Sequence, residues 1–204
     1  MPTLLHLDSS PRAASASSRL AAAFAGRWRE RYPTGAVIHR NTTLDRIAYL
    51  DEVMAEALHT PAAELSEAQK SALACSDELV DELQVADVIA IGAPMWNLSI
   101  PASLKAWIDM IVREGRTFEF TPHGVRPLVA PGKKVYVFSA RGGAYPKWTP
   151  FHALDMQEPY LRKILGLIGL KQIEFIYAEH QSSDAKSAAE SLARAERAVA
   201  ALAL

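Results

Sequence analysis

The first stretch able to do chemistry runs from Asp8 to Phe24, an aspartate followed by "SSPRAASASSRLAAAF". It gathers the hydroxyls of Ser9, Ser10, Ser15, Ser17 and Ser18 and the charges of Arg12 and Arg19 at the start of a helical pattern. Hydroxyls, free backbone N–H groups and the positive end of a helix dipole together suit a phosphate. The segment contains no glycine, so it is neither a G-x-G-x-x-G fingerprint nor a Walker A loop. That favours a single terminal phosphate over a pyrophosphate. Taken alone, the stretch reads equally well as a serine-rich helix cap, because serine is preferred there.

Two further stretches raise the same question. "PMWNLSI", Pro94 to Ile100, follows the apolar run "VIAIGA" and precedes a helix. Met95 and Trp96 would flank a flat ligand, with loop N–H groups at its polar edge; the alternative is that both are core and Asn97 is a turn residue. "SARGGAY", Ser139 to Tyr145, follows another apolar run. Gly142 and Gly143 remove side chains where a ligand edge would meet the backbone, although a tight turn explains them as well. Together, at one end of one sheet, the three stretches favour a phosphate-bearing planar heterocycle.

The elements that must position them follow from periodicity. Five β-prone runs, "TLLHL" at Thr3, "AVIHR" at Ala36, "DVIAIGA" at Asp87, "KVYVFSA" at Lys134 and "QIEFIY" at Gln172, alternate with helical stretches. The third and fourth are almost wholly apolar, as parallel strands covered on both faces are. Leu104, Trp107, Ile108 and Ile111 form a helical stripe behind Pro101, which suits a first-turn position. "SEAQ", Ser66 to Gln69, has capping-box spacing, and the segment from Asp184 is a helix with Leu192, Ala195 and Val199 on one face. The alternation predicts one α/β domain over residues 1–204, a three-layer sandwich on a five-stranded parallel sheet of flavodoxin-like order 2-1-3-4-5. Ligands of such sheets bind at the carboxyl ends of strands one and three, where all three stretches converge. Two connections are long, Asn41–Leu65 and Gly115–Lys133, and the second is a candidate lid or pocket wall.

Composition narrows the class. A chain of 204 residues, half of them apolar, buries a core without metals or disulfides. A net charge of −1 gives no general attraction to nucleic acid or to an acidic membrane. No apolar run approaches the length of a membrane span, and Leu4–Leu7, broken by His6, is not a signal peptide. The single cysteine, Cys75, reads as a buried small hydrophobe in a reducing, cytoplasmic setting. The six histidines show no i, i+4 pair, and no metal site is expected.

"SSPRAASASSRL", "PMWNLSIPASLKAWIDMIVREGRTF" and "SARGGAY" resemble, in order, the flavin-binding segments of the FMN-dependent NADH:quinone oxidoreductases, also called azoreductases. "LVAPGKKVYVFSARGG" and "PYLRKILGLIGL" extend the resemblance over nearly the whole chain. It implies that Ser10, Ser15, Ala16 and Ser17 bind the FMN phosphate, that Pro94, Met95, Trp96, Asn97 and Leu98 flank the isoalloxazine, and that Ser139, Ala140, Arg141, Gly142 and Gly143 line its pyrimidine side. Trp96 stands where a tyrosine is frequent, and Ala140 replaces a hydroxyl residue. The implied activity is a two-electron ping-pong transfer from NADH or NADPH to a quinone or azo acceptor. Asn97, Gly142 and Gly143 would act at the polar edge of the ring, and Tyr145 would assist there. The implied assembly is a homodimer with its sites at the subunit interface, where Phe118 and Phe120 wall the substrate pocket. A flavodoxin-type electron carrier, a flavin-binding regulatory module and an FAD-dependent quinone reductase are the rival readings. The near-neutral charge and the aromatic loop count against a carrier, and the serine loop against FAD.

Overall fold

The alternating runs of the sequence become strands and helices in the order they were met. The computed structural model describes residues 1–12, 14–45 and 47–204, so Ala13 of the serine-rich stretch and Arg46 of the first long connection lie outside the described residues. The elements are β1 (Thr3–Asp8), α1 (Ala16–Arg31), β2 (Ala36–Asn41), α2 (Glu52–Ala57), α3 (Glu67–Val85), β3 (Val88–Pro94), α4 (Ala102–Ile111), β4 (Phe118–Thr121), β5 (Gly124–Pro127), β6 (Lys134–Ala140), α5 (Gln157–Leu167), β7 (Gln172–Ala178) and α6 (Ala185–Ala201). Five strands pair in parallel in the order β2-β1-β3-β6-β7. This is the anticipated succession, with β4 and β5 inserted in the chain between the third and fourth sheet strands.

Period-two alternation sends neighbouring residues of each strand to opposite faces, and each face builds its own core. Leu5, Leu7, Ile89, Ile91, Val135 and Val137 pack with Leu79, Leu83, Trp107 and Leu161 from α3, α4 and α5. Leu4, Ala90, Tyr136 and Phe138 pack with Leu20, Phe24 and Trp28 of α1 and Ala195 and Val199 of α6. The central strands β3 and β6 are buried on both faces, which is why their sequences are continuously apolar.

Local signals set the helix ends. Ser66 and Gln69 form the reciprocal capping box at the head of α3, and the Asp184 carboxylate accepts the Ser187 N–H at the head of α6. Pro101, anticipated in the first turn, is instead the N-cap of α4, with φ −60° and ψ 148°. Cys75 also corrects its sequence reading: it is exposed, because α3 turns Leu73, Ser76, Leu79, Val80 and Leu83 inward and leaves Cys75 off that face. The connection Gly115–Lys133 is not a bare loop. It carries the antiparallel hairpin β4–β5, registered from Phe118↔Pro127 to Thr121↔Gly124. No helix among the described residues is long and apolar enough to cross a membrane.

One buried group makes stability depend on pH. His6 of β1 is 7% exposed, packs its ring 4.7 Å from that of His39 on β2, and leaves Nε2 without a hydrogen-bond partner among the described residues. Burial, then the neighbouring His39, lower its pKa to about 4; Asp8 raises it by less, and Arg29 lowers it by less still. The unfolded imidazole, near 6.5, takes up a proton at higher pH than the folded one. Its contribution is therefore full above about pH 6.5 and is lost as pH falls toward 4, by up to about 1.4 kcal/mol per pH unit. Urea unfolding at several pH values should show His6→Leu with a shallower acid loss than the parent; equal slopes would reject a neutral buried His6.

Candidate active site

The loops after β1, β3 and β6 meet around one cavity of about 880 Å³. A fourth segment, after β7, joins them through Gln181 and Ser182. The strand-end rule, applied to the fifth sheet strand as well, would have found those two residues.

At the β1 end, Ser15 is the N-cap of α1 yet makes no side-chain cap bond. Its Oγ lies 2.8 Å from Ser17 Oγ instead. The first turn holds no acidic residue, and its early N–H groups have no partner among the described residues. A helix that merely ended in a serine cap would have spent that hydroxyl on its own backbone. The other serines divide into two groups. Ser9 donates both its N–H and its hydroxyl to Gly92 O (3.0 and 2.7 Å), tying the loop to β3. Ser17 is fully buried where α1 crosses β3; a Cβ at Gly92 would stand 3.2 Å from Ser17 O. Ser10, Arg12, Ser15, Ala16, Ser18 and Arg19 line the cavity. The Asp8 carboxylate shapes this wall by accepting the Ser10 N–H (3.1 Å) and the Ser18 hydroxyl (2.7 Å).

At the β3 end, Trp96 and Ser99 exchange both backbone hydrogen bonds at 2.9 Å around Asn97 and Leu98. Both central residues are left-handed, with φ 46° and 71°, as a two-residue primed turn requires. Asparagine tolerates this region; leucine is strained there. The turn leaves the Asn97 and Leu98 N–H groups without partners among the described residues. Trp96 is 47% exposed and Met95 half-buried, so Trp96 is not a core residue; Pro94 to Leu98 all line the cavity.

At the β6 end, Ala140, Arg141, Gly142 and Tyr145 line the cavity, and Met95 N–H donates to Ala140 O (2.8 Å) across the two walls. Neither Gly142 nor Gly143 has a positive φ, so the turn does not use the conformational freedom of glycine. A Cβ on Gly142 would come 2.8 Å from Ser182 Oγ, whereas one on Gly143 would meet nothing nearer than the Tyr145 hydroxyl at 3.8 Å. Gly143 does not itself line the cavity. Nor does Ser139, which is fully buried behind the wall and donates to Gln157 Oε1. Arg141, 2% exposed, pairs with Asp155 (2.9 Å), donates through Nε to Ser139 Oγ (3.0 Å), lies over the Tyr177 ring and leaves Nη2 unpartnered among the described residues.

Phe118 and Phe120 stand outside this cavity. Phe118 is half-buried against the core and meets Phe120 edge-on at 5.4 Å, while Phe120 is 66% exposed. Phe120 is therefore not core in this chain. Among the described residues, no cluster of three His, Cys, Asp or Glu side chains is arranged to hold a metal ion.

The sequence profile of a family described as having a flavodoxin-like fold matches residues 2–203. An FMN-dependent NADH:quinone oxidoreductase 2 of Trichormus variabilis is 42% identical over 98% of this chain and 97% of its own. A relative from Leptothrix cholodnii, named FMN-dependent NADH:quinone oxidoreductase, is 41% identical over 98% of this chain and 95% of its own. The crystal structure of an azoreductase from Bacillus anthracis superposes with a TM-score of 0.89 at 27% identity, covering 98% and 97% of the two chains.

The left-handed leucine offers a direct check of the turn. Leu98→Gly places the residue best suited to φ 71° there and should raise Tm by about 1–3 °C, read by calorimetry on the full chain. A clear fall in Tm would mean that the Leu98 side chain stabilises more by packing than its backbone loses by strain.

Proposed function

The chain belongs to the family of FMN-dependent NADH:quinone oxidoreductases with a flavodoxin-like fold, and from that premise we propose that it reduces quinones and azo compounds with electrons from NADH, using FMN. One observation carries the assignment of the cofactor site. The uncapped first turn of α1 and the unpartnered N–H groups of the Asn97–Leu98 turn belong to a single cavity, one suited to a phosphate and the other to the polar edge of a flat ring.

FMN, when bound, supplies the hydride and two-electron chemistry. The residues supply the rest. Ser15, Ser10 and the first-turn N–H groups of α1 hold the phosphate, with Arg12 and Arg19 contributing charge and Ser17 fixing the Ser15 hydroxyl. Met95 and Trp96 flank the ring, and the N–H groups of Asn97 and Leu98 meet one polar edge. Gly142, which lines the cavity, would offer a backbone N–H donor at the pyrimidine edge, where such a donor opposes negative charge as an oxyanion hole does. Tyr145, beside Gly143, holds a hydroxyl proton at that edge. Donor and acceptor use the same open face in turn, a ping-pong order. A homodimer would set the exposed Phe120 over the partner's site and cover the exposed Trp148, Phe151 and Met156. Steady-state NADH oxidation with and without a quinone tests the function. Turnover should require the acceptor and give parallel double-reciprocal lines; cofactor binding without acceptor-dependent turnover would favour a carrier or regulatory module.

Two substitutions separate the parts. Ser15→Ala should weaken FMN binding about tenfold or more, since a hydrogen bond to a charged group is worth about 1.5–3 kcal/mol. Fluorescence titration of the apoprotein reads this, and an unchanged Kd would move the phosphate elsewhere. Phe120→Ala should leave Tm nearly unchanged, because the side chain is largely exposed, and should raise the acceptor KM more than it lowers kcat. A large drop in Tm with unaltered KM would make Phe120 structural.

A further inference from the structure

Behind the cavity, three consecutive residues join walls that come from different strands. The Asp155 carboxylate pairs with Arg141 in the loop after β6 (2.9 Å) and accepts the N–H groups of Gln157 and Glu158 at the head of α5 (3.0 and 3.1 Å). The Met156 N–H donates to Leu98 O (3.0 Å), holding the left-handed turn after β3. The Gln157 amide spans the ends of both strands: its Nε2 donates to Ala93 O of β3 (3.1 Å), and its Oε1 accepts from Ser139 of β6. Asp155 is 4% exposed, and Gln157 and Ser139 are fully buried, so water cannot cheaply replace the side-chain bonds of Asp155 and Gln157. Neither Asp155 nor Gln157 lines the cavity.

We infer that Asp155–Gln157 is a positioning strut that anchors the paired ends of β3 and β6, and the loops that follow them, to the head of α5, and that Gln157 is its pivotal side chain. The inference rests on the reading of the cavity as the FMN site. Two bonds of one rigid amide hold the paired strand ends at Ala93 and Ser139 against α5, while Met156 and Asp155 hold the Leu98 turn and the Arg141 loop beyond them. Shortening or unpairing the amide should therefore alter the fit of a ring held by both walls, beyond any loss of stability.

The test uses the full chain, stripped of cofactor and titrated with FMN well below its Tm, with visible circular dichroism of the bound flavin as a second readout. Gln157→Leu removes both side-chain bonds and should raise the FMN Kd about tenfold or more and change the dichroism of the flavin bands. Gln157→Glu keeps the shape but, ionised, cannot donate to Ala93 O. Burial raises its carboxyl pKa, so its Kd relative to the parent should be high near pH 8 and recover near pH 5.5, where the protonated acid donates again. A lowered Tm with the parent's Kd and dichroism at both pH values would overturn the inference, leaving the segment as packing alone. If Gln157→Leu does not fold, the pH-dependent ratio of Gln157→Glu decides. A parent chain that binds no FMN would remove the cofactor reading and the strut together, whereas a parent that binds beside variants that bind equally removes only the strut.

Discussion

The site depends on a divergence of crossovers at the centre of the sheet. After β1 the chain leaves through α1 toward one face, and after β3 it leaves through α4 toward the other, each helix packing into a separate core. Among the described residues no helix then crosses between the carboxyl ends of the two adjacent strands, and a crevice opens there. The backbone donors at its rim follow from the same geometry. An α1 that starts at the crevice presents its unpaired first-turn N–H groups there, and a turn that reverses the chain after β3 presents two more.

Polar burial maintains that opening at the expense of ordinary stability. Leu98 is held left-handed, and Arg141 and Asp155 are buried as an ion pair, an arrangement that stabilises little beyond what a packed apolar pair would. Its value lies in direction. The pair, with Ser139 and Gln157, leaves the β6 loop few alternative positions, and the loop after β7 adds Gln181 N–H to Arg141 O and Ser182 N–H to Gly142 O. The walls are fixed both by bonds among their own residues and by Asp155, Ser139 and Gln157, which stand behind them.

Much of this was legible in the sequence because burial on two faces writes itself as continuous apolar runs, as in β3 and β6, and because the strand-end rule then names the loops. Conformation bears on the alternatives left open there: Ser15 makes no cap bond, Trp96 is exposed, and neither Gly142 nor Gly143 has a positive φ. Other features leave no local trace. Ser17 and Ser139 cannot be told by residue type from the serines that line the cavity, yet both are buried supports. Cys75 faces outward because the stripe of α3 is set by other residues. The strands β4 and β5 are four residues each, and β5 is exposed throughout, so no burial period announced them. Asp155 and Gln157 act across long sequence separations, which no reading of spacing reveals.

The central claim is that the start of α1 is a phosphate site and the strand ends a ring site within one cavity. Comparing the affinities of the apoprotein for FMN and for riboflavin, which differ only by the phosphate, tests it most directly. FMN should bind about 100-fold more tightly or better, as two or more charge-assisted hydrogen bonds require, and the gap should narrow when Ser15 is replaced. Equal affinities for the two flavins would contradict the assignment.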